Sequence, residues 1–394
     1  MALAPRRHGV KIIEVTTGAR TLQVAATAIW GLVATAPAAN ADVFPLDTPV
    51  MVTDIEAAIT AAGADGTLAK SLRAIGDQVH AVGVVVRVAE GDGADEDDRA
   101  VSLRANLIGG GVAGSRTGMQ ALLDSQSLTG LRPRILAVPG ATDQAVGEAL
   151  GQLAAQLNAV AYYEAGPVRT VTAASAFRST FTHRELFLIF GSFTAADPFT
   201  KEIEPTYATA VAVGLRARID QEMGFHKTLS NVPVSGVIGL DTPVSWDLQD
   251  ENTEAGLLNG ADITCLIRRE GFRFWGNRGC ASDERFSFES TVRTNQVLRD
   301  TIADGVFAYI DRPLTPALAR DIVESLNALF RRMKTAGQII GAEAFLSEAN
   351  TPAQLAGGKL RIGYRFTPCA PLEDLSVESR ITDEFYADFN TLAA

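Results

Sequence analysis

The four histidines are the first place to look for proton chemistry in this chain, and none sits in a catalytic pattern. His80 is expected to end a helix, where a protonated ring suits the negative end of the dipole. His8 lies in an amino-terminal arm. His183 precedes a strand and would need Asp143 or Asp197 beside it, plus a nucleophile, to form a triad. There is no Gly-x-Ser-x-Gly elbow and no His-Glu-x-x-His pair. His226 and Ser230 suit capping better than catalysis. Adjacent carboxylates, Asp283-Glu284 and Glu373-Asp374, read as solvated faces. Cys265, Cys280 and Cys369 form no Cys-x-x-Cys pair and are odd in number, which predicts reduced thiols rather than a disulfide framework or a zinc site. The run from Gly91 to Asp98 fails the EF-hand spacing and reads as a solvated acidic loop. Gly109 to Gly118 lacks the Gly-Lys-Ser/Thr ending of a phosphate loop. No catalytic, cofactor or metal site is therefore predicted.

The elements that would position such a site are legible. Strands are expected at Gly9 to Val15, Thr27 to Ala34, Pro49 to Thr53, Val82 to Val88, Ile135 to Val138, Val160 to Tyr163 and Leu186 to Phe190. The near-continuous valines of 82–88 mark a strand buried on both faces. Asp54, Thr67 and Thr142 can cap helices, and a further helix covers about 171–181. Strand and helix alternate, which implies a parallel sheet with helices on both faces. Thr315 with Pro316 opens a long helix striped by Leu318, Ile322, Val323, Leu326, Phe330 and Met333. Lys359 to Thr367 alternates as a strand, and a final strand is expected near Leu375 to Thr382.

Bulk properties bound the rest. A chain of 394 residues exceeds one ordinary domain. A formal net charge of -11 argues against general nucleic-acid binding. The apolar run Val24 to Ala36, with Ala39-Asn40-Ala41 after it, has some look of a secretory signal. A buried strand is the better reading, and the run is too short to span a bilayer.

Two clusters are dense in Arg and aromatic residues. One is Gly214 to Asn231, a helix on which Ala208, Ala212, Leu215 and Ile219 share one face before Gly224 ends it. Arg216, Arg218 and Asp220 lie mostly off that stripe. The other is Arg268 to Arg278, with Arg268, Arg273, Trp275 and Arg278. Such surfaces recognise protein rather than perform chemistry.

These clusters resemble those of contractile tail sheath proteins, the small sheaths of temperate myophages and R-type bacteriocins. The resemblance runs through Ser245-Trp246-Asp247-Leu248, Leu266-Ile267-Arg268 and Gly271-Phe272-Arg273-Phe274-Trp275-Gly276-Asn277-Arg278. It extends upstream to His8-Gly9-Val10 with Glu14 and to Pro133 through Gly140, and downstream to Asp321-Ile322-Val323 and Pro371-Leu372-Glu373. The resemblance implies a structural subunit, not an enzyme. It would polymerise with itself as stacked hexameric rings around an inner tail tube, with baseplate and tail terminator proteins at the ends. Contraction would drive the tube through a bacterial envelope. No cofactor, nucleic acid or membrane insertion is implied, and the place is the virion tail, assembled in the host cytoplasm. The fold implied is α/β with a central parallel sheet of subtilisin-like topology, an α+β carboxyl-terminal domain and strand arms at both ends. The divisions expected are 1–22, 23–260, 261–370 and 371–394.

Unpaired strands at both ends of a chain invite pairing with a neighbour. Val10, Ile12, Ile13, Val15, Leu375, Val377 and Ile381 are the arm candidates. Arg320, Arg331, Arg332 and Lys334 on the long helix are candidates to face acidic groups on the tube. Arg216, Arg218, His226, Arg268, Arg273, Trp275 and Arg278 are candidates for a hub that locks the domains together. A soluble α/β enzyme and the sheath of a related secretion system are the competing readings.

Overall fold

A computed structural model describes residues 22, 24, 26–384 and 386. The arm candidates Val10, Ile12, Ile13 and Val15 lie outside the described residues. The first strands are β1 (Trp30–Thr35), β2 (Pro49–Val52), β3 (Gly83–Val88), β4 (Ile135–Ala137), β5 (Val160–Glu164) and β6 (Leu186–Ile189). A small sheet follows, of β7 (Phe193–Ala196), β8 (Ile203–Thr206) and β9 (Gly239–Leu240). Then come β10 (Ile263–Arg268), β11 (Phe272–Trp275) and a carboxyl-terminal hairpin of β12 (Ile339–Leu346) and β13 (Ile362–Pro368).

The main sheet has eight strands in the order β11-β10-β6-β5-β4-β1-β3-β2. Pairings from β10 through β3 are parallel, and the two edge strands, β11 and β2, are antiparallel. The sequence expectation of a mostly parallel sheet is met. The sheet also continues through Trp275, past the division expected at 260/261.

The pleat of each inner strand sends alternate residues to opposite faces. Leu32, Ala34, Val85, Ile135, Ala137 and Tyr162 enter one core, under the helices Ile55–Ala62, Leu68–Gly76 and Ala208–Glu222. Val33, Val84, Val86, Leu136, Ala161 and Tyr163 enter the other, under the helices Gln144–Leu157, Val171–Arg178 and Glu254–Gly260. Burial on both faces explains why these strands read as continuous apolar runs. A third core forms where the Pro316–Thr335 helix lies on the β12–β13 hairpin and takes in Leu22, Phe225 and Leu298. Thr315 caps that helix, its hydroxyl accepting from Leu318 N.

Several expectations need correction. The acidic 91–98 stretch is not merely a loop: Asp95 accepts from Asp98 N at 2.8 Å and caps a helix, Glu96–Ile108, whose first turn is acidic. Carboxylates there complement the positive end of the helix dipole. Asp143, not Thr142, caps the Gln144–Leu157 helix. His80 lies beyond its helix, which ends at Gly76. Residues 375–382 form no strand in the single chain. The Glu289–Val306 helix and β12 had no counterpart in the sequence reading.

Candidate functional site

The carboxyl ends of the parallel strands are where an α/β fold would place a ligand. Here the position beside β4 is filled: a Cβ on Gly140 would lie 2.9 Å from the Tyr207 ring. The supposed triad partners have other work. His183 Nε2 meets Glu148 Oε1 at 2.7 Å, Asp143 is the helix cap, and Asp197 caps Phe199 and Thr200 while pairing with Lys70. The cavity beside Lys70 and Asp197 is about 20 Å³, room for about one water. Among the described residues, no three His, Cys, Asp or Glu side chains gather to hold a metal, and no helix is long and apolar enough to cross a membrane.

The polar chemistry gathers instead at a buried joint. The Ala208–Glu222 helix is enclosed almost all round, so Arg216 is not on a solvated face: it is 0% exposed. Its Nη2 pairs with Asp220 Oδ1 at 2.7 Å and its Nη1 with Glu289 Oε1 at 3.2 Å. Arg293 closes the quartet through Asp220 Oδ2. Two cations face two anions, so the group is internally neutral. Glu289 also accepts from Tyr162 Oη at 2.5 Å and from Leu229 N at 2.8 Å. Arg216 donates to Lys227 O, and Arg293 to the carbonyls of Thr27 and Arg134. Burial alone would depress the Arg216 pKa, but Asp220 and Glu289 outweigh it and hold the guanidinium above its ordinary value. Burial with the adjacent Glu289 pushes the Tyr162 hydroxyl well up, so it stays a neutral donor.

The network continues along one face of the Glu289–Val306 helix. Glu289, Arg293, Gln296 and Asp300 stand at intervals of four, three and four. Gln296 Nε2 donates to Ala159 O at 2.7 Å, Asp300 Oδ2 pairs with Arg134 at 2.7 Å, and Asn158 Nδ2 donates to Asp300 Oδ1 at 2.8 Å. Burial lowers Arg134 to about 10, with Asp300 opposing. This helix is thereby stitched to the segments that enter β4 and β5 at their amino ends.

Of the hub candidates, only Arg216 belongs to this network. Arg218 bonds Pro233 O and Ser235 Oγ. Arg273 donates to the carbonyls of Asn231 and Arg269 at 2.9 Å, tying the loop after the helix to β11. Arg268 lies over Phe272, and Trp275 stands edge-on to Trp246 with ring centroids 5.4 Å apart. His226 borders an open groove of about 580 Å³, shared with Ser230, Trp275, Asn277 and the 369–373 segment. Arg278 grips Glu373. Glu289, Arg293, Arg134, Asp300 and Tyr162 were missed. The signal was available as the polar stripe 289/293/296/300, but in sequence such a stripe is indistinguishable from a solvated helix face.

Among the tube-facing candidates, Arg332 donates to Leu22 O. Arg320 Nε turns back to Pro316 O, while Arg331 and Lys334 stay exposed at the helix end. Leu375, Val377 and Ile381 are 70%, 80% and 101% exposed.

Comparison with known proteins identifies the family. Residues 114–280 match the phage tail sheath protein central domain, and residues 281–382 match the phage tail sheath C-terminal domain. The tail sheath protein of Escherichia phage P2 is 46% identical over 386 residues, covering 98% of both chains. The major tail sheath protein of Serratia phage KSP20 is 42% identical over 96% of both. The chain shares its fold with the sheath of the PVC extracellular contractile injection system in its contracted state (TM-score 0.69, 14% identity, 98% of this chain and 100% of that one). It does so too with the contracted helical sheath of the anti-feeding prophage (TM-score 0.70, 16% identity, 95% and 99%). The chain belongs to the phage tail sheath family. It is a structural protein and not an enzyme. The matched boundary at 280/281 falls beside the buried joint, so the quartet links residues of both family domains.

Proposed function

From that membership we propose that the chain is the repeating subunit of a contractile tail sheath. It polymerises as stacked hexameric rings around an inner tube and contracts to drive the tube through a bacterial envelope. The reading places it in the virion tail, assembled in the host cytoplasm, with baseplate and tail terminator proteins at the ends. One observation carries the mechanical part: a body whose two domains are joined by a buried ion network carries an exposed carboxyl-terminal segment with Leu375, Val377 and Ile381 on one side. A contracting lattice needs bodies that move rigidly and joints that bend. The locked domains supply the body. The segments around Val10 to Val15 and Leu375 to Thr382 supply the joints, by adding strands to a neighbour's sheet. Leu375, Val377 and Ile381 share one side of an extended chain, the pattern of a strand with one face to bury.

The experiment is negative-stain microscopy of the purified protein, with and without residues 1–17. Rings or tubes from the full chain, and their loss on truncation, are expected. Normal, contractile sheaths from the truncated chain would remove the strand-exchange reading. Arg331 and Lys334, both exposed at the helix end, are proposed to face acidic groups on the tube. Reversing Arg331 and Lys334 should lower co-assembly with tube while leaving unfolding unchanged. Undiminished co-assembly would exclude them. Such rim charges are individually weak and salt-sensitive, which suits a contact that contraction must break.

A further inference from the structure

After β13 ends at Pro368, the chain is fastened to the body through Cys369 and Glu373. Ser290 Oγ donates to Cys369 O at 3.4 Å, and Cys369 Sγ lies 3.5 Å from Gly337 O. The strongest grip comes last. Arg278 meets Glu373 in a two-pronged pair, Nε to Oε1 at 2.9 Å and Nη2 to Oε2 at 2.7 Å. The same guanidinium lies over the Phe288 ring, 4.7 Å from its centroid, and the Arg278 backbone bridges that of Phe288. The carboxylate of Glu373 raises the pKa of Arg278, so the cation is secure. Past this point residues 374–382 have no regular structure and are almost wholly exposed.

The position of this pair gives it meaning. Arg278 comes from the central family domain, and Phe288 and Glu373 from the carboxyl-terminal one. Glu289, next to Phe288, belongs to the buried quartet. The root of the segment is therefore attached where the two domains are locked. A chain fixed at its root in one direction loses less freedom on capture than one that swings from Pro368, and its local concentration at a correctly placed target is higher. The stretch 374–384, at about 3.3 Å per extended residue, reaches about 35 Å. That is enough to cross onto a second subunit.

We infer that the Arg278–Glu373 pair is a latch that sets the exit direction of the carboxyl-terminal segment toward a second copy of this chain. This rests on the reading above that the segment joins subunits. Both residues act as positioning residues. They are not part of the strand that would be exchanged. A planar, two-pronged pair stacked on an aromatic ring defines an angle as well as a distance, which a lysine could not do.

The test uses the full chain with Arg278→Glu, Glu373→Arg and the double reversal. Two quantities are measured: the critical concentration for sheath polymer, by sedimentation and microscopy, and the unfolding midpoint of the subunit. Each single reversal should raise the critical concentration about fivefold, the upper end for one half-exposed pair. The double reversal should recover part of that rise, since the ion pair is rebuilt with its ends exchanged while the stacking on Phe288 is not. Midpoints should not move. Single variants that polymerise at the parental concentration overturn the latch. So does a double variant as impaired as the singles, or a lowered midpoint in either single variant. A chain ending at Glu373 separates this inference from its premise. If it assembles normally, the joining role of the segment fails. If it does not assemble while the reversals have no effect, only the latch fails.

Discussion

Glu289→Ala is the most demanding test of the buried joint. Glu289 is 2% exposed and its two oxygens serve Arg216, Tyr162 Oη and Leu229 N. The substitution strands three donors in a site that water does not reach. An unpaired buried donor costs about 1–3 kcal/mol, and breaking a buried ion pair by removing one partner about 3–5 kcal/mol. These costs overlap, and Arg216 keeps Asp220 at 2.7 Å, so the net loss should be about 3–5 kcal/mol. Glu289→Gln keeps the shape and one acceptor and should lose about half as much, the charge being the part removed. The control is Glu343→Ala, which breaks the pair with Arg365, whose side chains are 55% and 78% exposed. That loss should stay below about 1 kcal/mol. The assay is urea unfolding of the unassembled subunit by tryptophan fluorescence, since Trp30, Trp246 and Trp275 all lie in or against the two cores of the main sheet. An Ala loss no larger than that of the Glu343 control would refute the idea that this network locks the domains.

Three other outcomes follow from particular contacts. Burial, then the neighbouring Arg216, holds the His226 pKa below its ordinary value, so the unfolded chain takes up its proton first. Stability from this residue should therefore fall as pH drops through about 6.5, levelling off once the lowered folded pKa is passed. Melting scans from pH 7.5 to 5 should show a shallower fall in His226→Gln, and identical slopes would contradict the assignment. Burial pushes Cys265 and Cys280 up to about 12 and raises Cys369 too, but Cys369 alone is only half-buried and open to reagent. Iodoacetamide at pH 8 should label one thiol quickly in the native subunit and three in urea; fast native labelling of two would be inconsistent with the packing. Gly83 abuts the indole of Trp30, which is 0% exposed and donates to Ala81 O at 2.9 Å. Gly83→Ala should lower stability by about 1–3 kcal/mol through overpacking, and an unchanged urea midpoint would show that β1 and β3 can part without cost.

Much of the sheet was legible because a strand buried on both faces has only one way to look. The valines of β3 and the apolar run of β1 admit no solvated side. Thr315 and Pro316 announced the long carboxyl-terminal helix for an equally local reason, a side-chain cap followed by a residue that needs no hydrogen bond. The absence of catalytic spacing around the histidines was likewise a property of the sequence alone. Thr142 and Asp143 are both good cap residues, and which of two adjacent residues caps depends on the path of the incoming loop.

The joint itself was not legible. Arg216 was singled out, but as a residue off the apolar stripe of its helix. Its partners lie 73 residues away on Glu289 and one turn away on Asp220. A polar stripe at helical spacing looks the same whether it faces water or a neutralising set of opposite charges. Only the packing of the Glu289–Val306 helix against the ends of β4 and β5 decides which. The sequence by itself determined the parallel strands β1 and β3 through β6, the long helix at Pro316 and the sheath family to which the chain belongs. Tertiary structure decided which charges are buried and paired, and where the carboxyl-terminal segment leaves the body. The reason is that periodicity reports how many sides of an element are apolar. It carries no information about which distant group completes a polar one.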